Sequence, residues 1–337
     1  MEYRGKFEVF NFNRIKTYSI KERVNKTRLE NLLNPEQLKQ STLQFYSQEL
    51  EEVAARMIDC HKQRKPVIWF NGAHLIKNGM SPIVIDLIKR RIITLYATNG
   101  AGSIHDFELA LIGETSEHVP NALPQGKFGM AYETGKYMND ALIRGNELKL
   151  GYGESLARMI LGEKFPYRVH FPYPHLSIIA TAYKMGIPAT VHVSIGTDII
   201  NQHPNFDGEA LGGTSARDFA IYAAQIEKLT QGGVILNIGS AVTGPEVLLK
   251  AVSMAANVGH VPDHIVTANF DLRPIVAEDI QDEKKATYYF RDNKSVVTRI
   301  PEAFNGKGYY IMGDQLETIP ALYQMLVWEL EKEAQPI

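Results

Sequence analysis

The chain contains a single cysteine, Cys60, among its 337 residues. An intramolecular disulfide and a cysteine-based zinc site are therefore both excluded. No apolar stretch approaches the roughly 20 residues that cross a membrane, and the N-terminal segment is too charged to resemble a signal peptide. We expect a cytoplasmic protein that does not bind membranes, with Cys60 as a buried thiol at the end of an amphipathic helix.

The chain also has no large excess of positive or negative charge. The 36 Lys and Arg residues nearly balance the 38 Asp and Glu residues, which gives a net charge of −2. This balance offers no electrostatic basis for binding nucleic acid or an anionic membrane. Hydrophobic residues make up 45% of the chain, a usual value for a globular protein. We expect a small-molecule substrate rather than a nucleic-acid partner.

Several well-known catalytic motifs are absent as well. The ten histidines form neither an HExxH nor an HxH pair, and no GxSxG or GxxxxGK[ST] segment occurs. Zinc-dependent hydrolysis, acyl transfer and P-loop phosphate binding are therefore not predicted. We expect no bound metal.

Apolar, β-rich runs alternate with helical patterns after a polar stretch of about 33 residues. Strands are predicted at 65–72, 92–100, 187–196, 234–240, 264–271 and 306–313, and helices at 34–64, 81–91, 105–113, 215–233, 245–259 and after Asp314. Continuous apolar strands separated by helices are typical of a parallel sheet covered on both faces. The sequence thus predicts an N-terminal arm, 1–33, followed by one α/β domain, 34–337. The arm is expected to lie over the fold or to reach another subunit.

Small, amide and hydroxyl residues collect where the predicted strands end. The segments are "NGAHLIKNG" (71–79), "TNGAGSIHD" (98–106), "VSIGTDI" (193–199), "NIGSAVTGPE" (237–246), "TANFD" (267–271) and the residues around Asp314. In open α/β sheets, ligands bind outside the carboxyl ends of the strands. The pattern indicates a shared ligand crevice, although turns need glycine for steric reasons alone.

The segment "TNGAGSIHD" invites two interpretations. The amides of Gly100, Ala101 and Gly102 could face a pyrophosphate at a helix N-terminus, or Ser103 or Asp106 could simply cap the helix. The dinucleotide-binding fingerprint GxGxxG has its third glycine at the position that His105 occupies here. His105 is either a proton donor and acceptor for a ligand or a hydrogen-bonded structural residue.

Lys294 stands among aromatic and β-branched residues in "YYFRDNKSVVTR" (288–299). A desolvated lysine can form an imine with a carbonyl compound. A surface salt bridge is the alternative.

Taken together, the block 67–113 and the segments "SIGTDI", "GGVILNIGS", "TANFD" and "GDQLETIP" resemble the deoxyhypusine synthase family in order and spacing. The resemblance implies a single Rossmann-like domain with NAD at a subunit interface, commonly in a homotetramer. It also implies transfer of an aminobutyl group from a polyamine to an amine, through an enzyme-lysine imine. By position, the implied cofactor contacts are His74, Lys77, Asn99, Gly100, Ala101, Gly102, Gly239, Ser240, Thr267, Ala268 and Asp314, and Asp198 is the implied catalytic acid.

The chain departs from that family at chemically important positions. His105 replaces an acid, Thr243 lies near where a histidine is expected, and the acid after Ser194 is displaced by one residue. The Trp-Gly-Lys signature is missing, and Lys294 is an approximate stand-in for its lysine. These departures favour a diverged member that acts on a free amine rather than on a translation-factor lysine.

We therefore predict a transferase that oxidises a polyamine or similar amine with NAD and transfers an aminoalkyl group, with Lys294, His105 and Asp198 as catalytic residues. One alternative is an NAD-dependent deaminase or cyclodeaminase of an amino acid, with Arg273 or Arg291 holding the carboxylate. Another is a non-catalytic protein that binds NAD or a polyamine.

Overall fold

A computed structural model describes residues 3–280 and 282–334. Six parallel strands form its main sheet, in the spatial order β5-β3-β2-β6-β7-β8. The strands of this sheet are β2 (Val67–Asn71), β3 (Leu95–Asn99), β5 (Ala189–His192), β6 (Gly233–Ile238), β7 (Ile265–Asp271) and β8 (Lys307–Met312); β1 (Asn25–Thr27) and β4 (Thr115–Glu117) form a separate antiparallel pair. In the centre of the sheet, Phe70 is in register with Ala97 on one side and Asn237 on the other.

Helices cover both faces of the sheet. They are α1 (Pro35–Gln40), α2 (Gln48–Gln63), α3 (Ala73–Lys77), α4 (Ser81–Lys89), α5 (Gly100–Ile112), α6 (Val119–Ala122), α7 (Tyr132–Glu147), α8 (Tyr152–Ile160), α9 (Ile178–Lys184), α10 (Gly208–Ile226), α11 (Thr243–Asn257), α12 (Ile300–Ala303) and α13 (Gln315–Ala334), with a π-helical turn at Asn293–Arg299. Trp69 packs into the larger core beneath α2, α4 and α5, whereas Ile68 and Phe70 pack toward α10 and α11. Side chains alternate between the two faces of a strand, so a strand covered on both faces must be apolar throughout.

The strand order reverses at β2. The chain builds outward from β2 to β3 and β5, then returns to the other side of β2 and adds β6, β7 and β8. This is the doubly wound order of a Rossmann-like domain, which has a crevice at the switch point between β2 and β6. The predicted parallel α/β sheet is confirmed.

Residues of the predicted arm pack along one edge of the domain. β1 pairs with β4 through Asn25 opposite Glu117 and Thr27 opposite Thr115. The Glu133 carboxylate accepts hydrogen bonds from Ser19 Oγ (2.8 Å) and from the backbone N–H of Ile20 (2.7 Å). The arm is thus held by polar contacts as well as by strand pairing.

Three helix predictions were wrong in extent. The helix predicted at 215–233 begins at Gly208 and ends at Ile226. The helix predicted at 34–64 is two helices, because the chain leaves the first at Ser41 and Ser47 starts the second by accepting from the N–H of Leu50. The predicted cap at Asn34 is confirmed, since its Oδ1 accepts from Glu36 and Gln37. The helix predicted to begin at His105 begins at Gly100, so the glycine segment is its first turn rather than a loop.

Cys60 is fully buried and unpaired, as predicted. Within residues 3–280 and 282–334, no helix combines the length and the apolar character needed to cross a membrane.

Candidate functional site

A cleft with a volume of about 240 Å³ opens at the carboxyl ends of β3 and β5, beside the arm. Its charged and titratable side chains come from five parts of the chain: Arg23 of the arm, Lys77 of α3, His105 and Glu108 of α5, Glu117 of β4, and Asp198 of the loop after β5. Ala101, Ile104, Ser116, Val119, Phe128, Thr197 and Ile199 complete the lining. The fold therefore brings together Lys77, Ala101, His105 and Asp198 of the predicted site.

The carboxylate of Asp198 lies against the start of α5. A methyl group added to Gly100 would overlap both carboxylate oxygens of Asp198, so only glycine allows this approach. Burial raises the pKa of Asp198 to about 6. A negative charge is favourable at a helix N-terminus, so this carboxylate takes the position that a pyrophosphate would have under one of the two interpretations of this turn.

The other residues of the α5 turn have packing roles. The Asn99 side chain caps the helix by accepting from the N–H of Gly102 at 2.8 Å, and a methyl group on Gly102 would overlap Thr98 Oγ1. Asp106 does not cap α5. It is fully buried and accepts from Ser177 Oγ at 2.5 Å and from the N–H of Ile178 at 2.6 Å, at the start of α9.

His105 belongs to a chain of hydrogen bonds that runs through Thr115 to Glu108. Its Nδ1 lies 2.7 Å from Thr115 Oγ1. That hydroxyl donates to Glu108 Oε2 at 2.6 Å. Burial lowers the pKa of His105 to about 4; Lys77, Arg23 and His74 add to this effect, whereas Glu108 opposes it. His105 is therefore neutral at physiological pH.

Glu108 is held ionised by a buried ion pair. Arg23 lies 2.6 Å from Glu108 Oε2, and their side chains are 4% and 1% exposed. Thr134 Oγ1 donates to the other carboxylate oxygen at 2.8 Å. The pKa of Glu108 is lowered even though burial opposes this, because Arg23 and the hydrogen bonds favour the charged form. Sequence reasoning missed Arg23, Glu108 and Thr115; the signal for Glu108 was a lone acid among the apolar residues of "FELALIG".

α3 contributes Lys77 to the lining of the cleft, and His74 lies on the same helix outside that lining. His74 is exposed, and its pKa is lowered by partial burial and by Lys77. Lys77 lines the cleft, and no ion pair to it is found among the described residues. Its ammonium can therefore take an anionic group of a ligand.

The crevice at the switch point differs from this cleft. The turns after β2 and β6 touch, since a methyl group on Gly72 would overlap the carbonyl oxygen of Gly239. Gly239 is exposed at a φ of +59°, and Ser240 Oγ accepts from the N–H of Gly244 at 2.9 Å in the first turn of α11. Gly239, Ala241 and Val242 are exposed at this turn, whereas Ser240 is buried.

Three other predicted cofactor contacts lie in β7 and at the end of β8. Thr267 and Ala268 lie inside β7 and are fully buried, and the Thr267 hydroxyl donates to the carbonyl of Val296 at 2.5 Å. Both are therefore packing residues rather than an open ribose contact. Asp314 is exposed at the end of β8, where its Oδ1 accepts from the N–H of Leu316 at 2.8 Å.

Lys294 does not line the cleft. It lies in the π-helical turn, and its ammonium is 3.4 Å from the centroid of the Tyr288 ring. The predicted carboxylate-binding arginines are also elsewhere: Arg273 pairs with Asp271 and Asp292, and Arg291 lies 3.6 Å from Glu246. The arginine at the cleft is Arg23 of the arm.

The switch point fits NAD better than the α5 turn does. The strand order and the exposed turn at Gly239 fit a dinucleotide at the switch point. The α5 turn fits a pyrophosphate poorly, because the Asp198 carboxylate lies against Gly100. Any NAD phosphate is thus better placed near α11 than near α5.

The sheet defines the chain as a Rossmann-like α/β protein. No protein-family model and no curated protein sequence matches it.

Several solved structures resemble it at low identity. They include ArgZ, a cyanobacterial arginine dihydrolase (14% identity, TM-score 0.47, covering 82% of this chain and 32% of ArgZ). A ternary complex of AgrE with ornithine and NAD⁺ is similar (13%, TM-score 0.46, 91% and 35%), as is a candidate deoxyhypusine synthase from Entamoeba histolytica (11%, TM-score 0.42, 93% and 97%). The chain spans about a third of the length of ArgZ and AgrE.

Proposed function

We propose that the protein is an NAD-dependent enzyme that oxidises an amine-bearing carbon in the cleft between the arm, α3 and α5. The observation that carries the proposal is that Asp198 and His105 line the same partly buried cleft. A buried carboxylate suits a cationic amine, and a neutral imidazole suits the proton that the amine loses. The switch-point crevice supports NAD as the cofactor.

Bound NAD would accept a hydride from carbon and could return it. The C–H electron pair leaves as hydride and one proton leaves the nitrogen, so the amine becomes an imine. Asp198 holds the cationic amine and His105 accepts the proton. The apolar walls at Ile104, Val119 and Phe128 limit the access of water to the imine.

The finer proposal is aminoalkyl transfer to a free amine acceptor, which the likeness to the deoxyhypusine synthase family supports. The acceptor amine adds to the imine carbon, the donor amine leaves, and hydride return gives the new secondary amine. Transfer between two free amines needs no enzyme imine, which accords with Lys294 lying against Tyr288 rather than in the cleft.

One observation favours a second candidate, the NAD-dependent deaminase or cyclodeaminase of an amino acid. Lys77 and Asp198 line the same cleft, so a carboxylate and an amine of one molecule each have an oppositely charged partner. Arg273 and Arg291, which were the predicted carboxylate ligands, have acidic partners of their own.

Mass spectrometry of the purified protein incubated with NAD and spermidine, putrescine or ornithine tests these proposals. A product with two joined polyamine fragments supports transfer, and ammonia release from ornithine supports the deaminase. Asp198→Asn is expected to lower either turnover strongly, whereas Glu209→Gln, an exposed acid on α10, is the matched control. NAD binding without turnover of any amine would leave a binding protein as the better description, and failure to bind NAD would refute the proposal.

We further propose that the protein forms a homo-oligomer, the tetramer that the family likeness implies. Exposed apolar side chains at the ends of β6, β7 and β8, namely Val242, Leu272 and Met312, support a protein contact there. Light scattering coupled to size-exclusion chromatography gives the mass directly, and a monomer at micromolar concentration would contradict the proposal.

A further inference from the structure

We infer that His105 is held as the neutral tautomer with hydrogen on Nδ1, so that its Nε2 is the proton acceptor of the cleft, and that Arg23, Glu108 and Thr115 are positioning residues. The tautomer follows from hydrogen-bond directions alone. Its catalytic use rests on the proposed function.

The direction of the chain is fixed at Glu108. Arg23 lies 2.6 Å from the Glu108 carboxylate, and both side chains are almost fully buried. An ionised carboxylate only accepts hydrogen bonds. The Thr115 hydroxyl, 2.6 Å away, must therefore give its single hydrogen to Glu108, because two acceptors at that distance would repel.

The donor role of Thr115 fixes the role of His105 Nδ1 in their shared hydrogen bond. With its hydrogen committed, Thr115 Oγ1 can only accept from Nδ1 of His105, 2.7 Å away. A neutral imidazole carries hydrogen on one nitrogen, and the partner of the other nitrogen decides which. Nε2 thus has a free lone pair, and among the described residues no hydrogen bond to Nε2 is found. Since His105 lines the cleft, Nε2 is the nitrogen left for a ligand.

The charged groups around His105 maintain this state. Burial is the main cause that lowers the pKa of His105; Lys77, Arg23 and His74 add to it, and Glu108 opposes it. Asp198 lines the same cleft. The arm therefore does more than cover the domain, because its Arg23 decides which nitrogen of His105 is basic.

Nitrogen-15 NMR of protein with labelled histidine, in long-range proton-correlated spectra at pH 7, tests the inference without any turnover. Protonated and unprotonated ring nitrogens have widely separated shifts, and comparison with His105→Gln assigns the signals. The expected result is an unprotonated Nε2 and a protonated Nδ1. An Nε2–H tautomer, or a ring protonated on both nitrogens, would overturn the inference whatever the protein catalyses.

Variants at position 115 supply the matched pair. Thr115→Val removes the acceptor and should shift His105 toward the Nε2–H tautomer, whereas Thr115→Ser keeps the hydroxyl and should keep the native tautomer. Glu108→Gln should weaken the preference as well, because its amide can donate to Thr115 and release the hydroxyl hydrogen. An unchanged tautomer in Thr115→Val would contradict the positioning role.

Activity adds a second readout. If an amine is turned over, Thr115→Val should lower kcat by about ten- to a hundredfold with little change in KM, since general base catalysis contributes about 100-fold or more. Thr115→Ser should stay close to the parent. The predicted tautomer without turnover of any amine would refute the proposed function and leave this inference standing. Turnover of an amine by protein with the Nε2–H tautomer would support the proposed function and refute this inference.

Discussion

At the scale of single residues, the cleft depends on acids whose surroundings differ. Glu108 is compensated by Arg23 and remains ionised, whereas Asp198 is partly buried and has its pKa raised to about 6. Asp106, which the sequence suggested as a cap of α5, holds the start of α9 instead.

Amine binding should weaken in acid because Asp198 becomes protonated. With a pKa of about 6, roughly one-tenth of the carboxylate is ionised at pH 5, so affinity for spermidine or ornithine should fall about tenfold between pH 7.5 and pH 5. His105, with a pKa of about 4, stays largely neutral over this range. Isothermal titration calorimetry measures the trend, and Asp198→Asn should bind weakly without it. A pH-independent affinity in the parent protein would rule out Asp198 as the amine partner.

Asp106→Ala should lower the free energy of unfolding by about 2–4 kcal/mol, because Ser177 Oγ and the Ile178 N–H lose their buried acceptor. Urea denaturation measures this loss. Asp59→Ala, at an exposed position of α2, is the control and should stay within about 0.5 kcal/mol of the parent. Equal effects for the two variants would mean that Asp106 does not stabilise α9.

At the scale of elements, the first turn of α5 explains why the sequence resembled a phosphate loop. Glycine is required at Gly100 by Asp198 and at Gly102 by Thr98. Both requirements come from close packing within the chain. A glycine-rich turn between strand and helix therefore does not by itself identify a phosphate site.

Gly102→Ala should destabilise the protein by about 1–3 kcal/mol, because the new methyl group would overlap Thr98 Oγ1. Gly212→Ala in α10 meets no atom within 4 Å, so the higher helix propensity of alanine should stabilise it by up to about 1 kcal/mol. Thermal unfolding compares the pair. Stabilisation by both substitutions would show that the turn at Gly102 has more room than the structure indicates.

At the scale of the whole molecule, the arm and the domain share the cleft. Arg23 reaches from the arm to Glu108 of α5, and β1 of the arm pairs with β4. A buried ion pair contributes little against an apolar replacement, but the loss of one partner leaves an uncompensated charge. The arm should therefore respond strongly to single substitutions in this pair.

Arg23→Ala should lower the free energy of unfolding by about 3–5 kcal/mol because Glu108 would remain buried without its partner. The double variant Arg23→Ala/Glu108→Ala should be less destabilised than the sum of the single variants. Lys26→Ala, exposed on β1, serves as the control. Urea denaturation gives the energies, and simple additivity of the two substitutions would show that the pair is not coupled.

The alternation of apolar strands and helices in the main sheet was determined by the sequence, because periodicity and turn residues act over a few neighbouring positions. Tertiary structure decided which strand ends meet. It placed His105 and Asp198 in one cleft with Lys77 and placed Lys294 against Tyr288. It also brought Arg23 to Glu108, 85 residues away in sequence, and so gave His105 its hydrogen-bond chain. Such pairings depend on strand order and long-range packing, which local patterns do not encode.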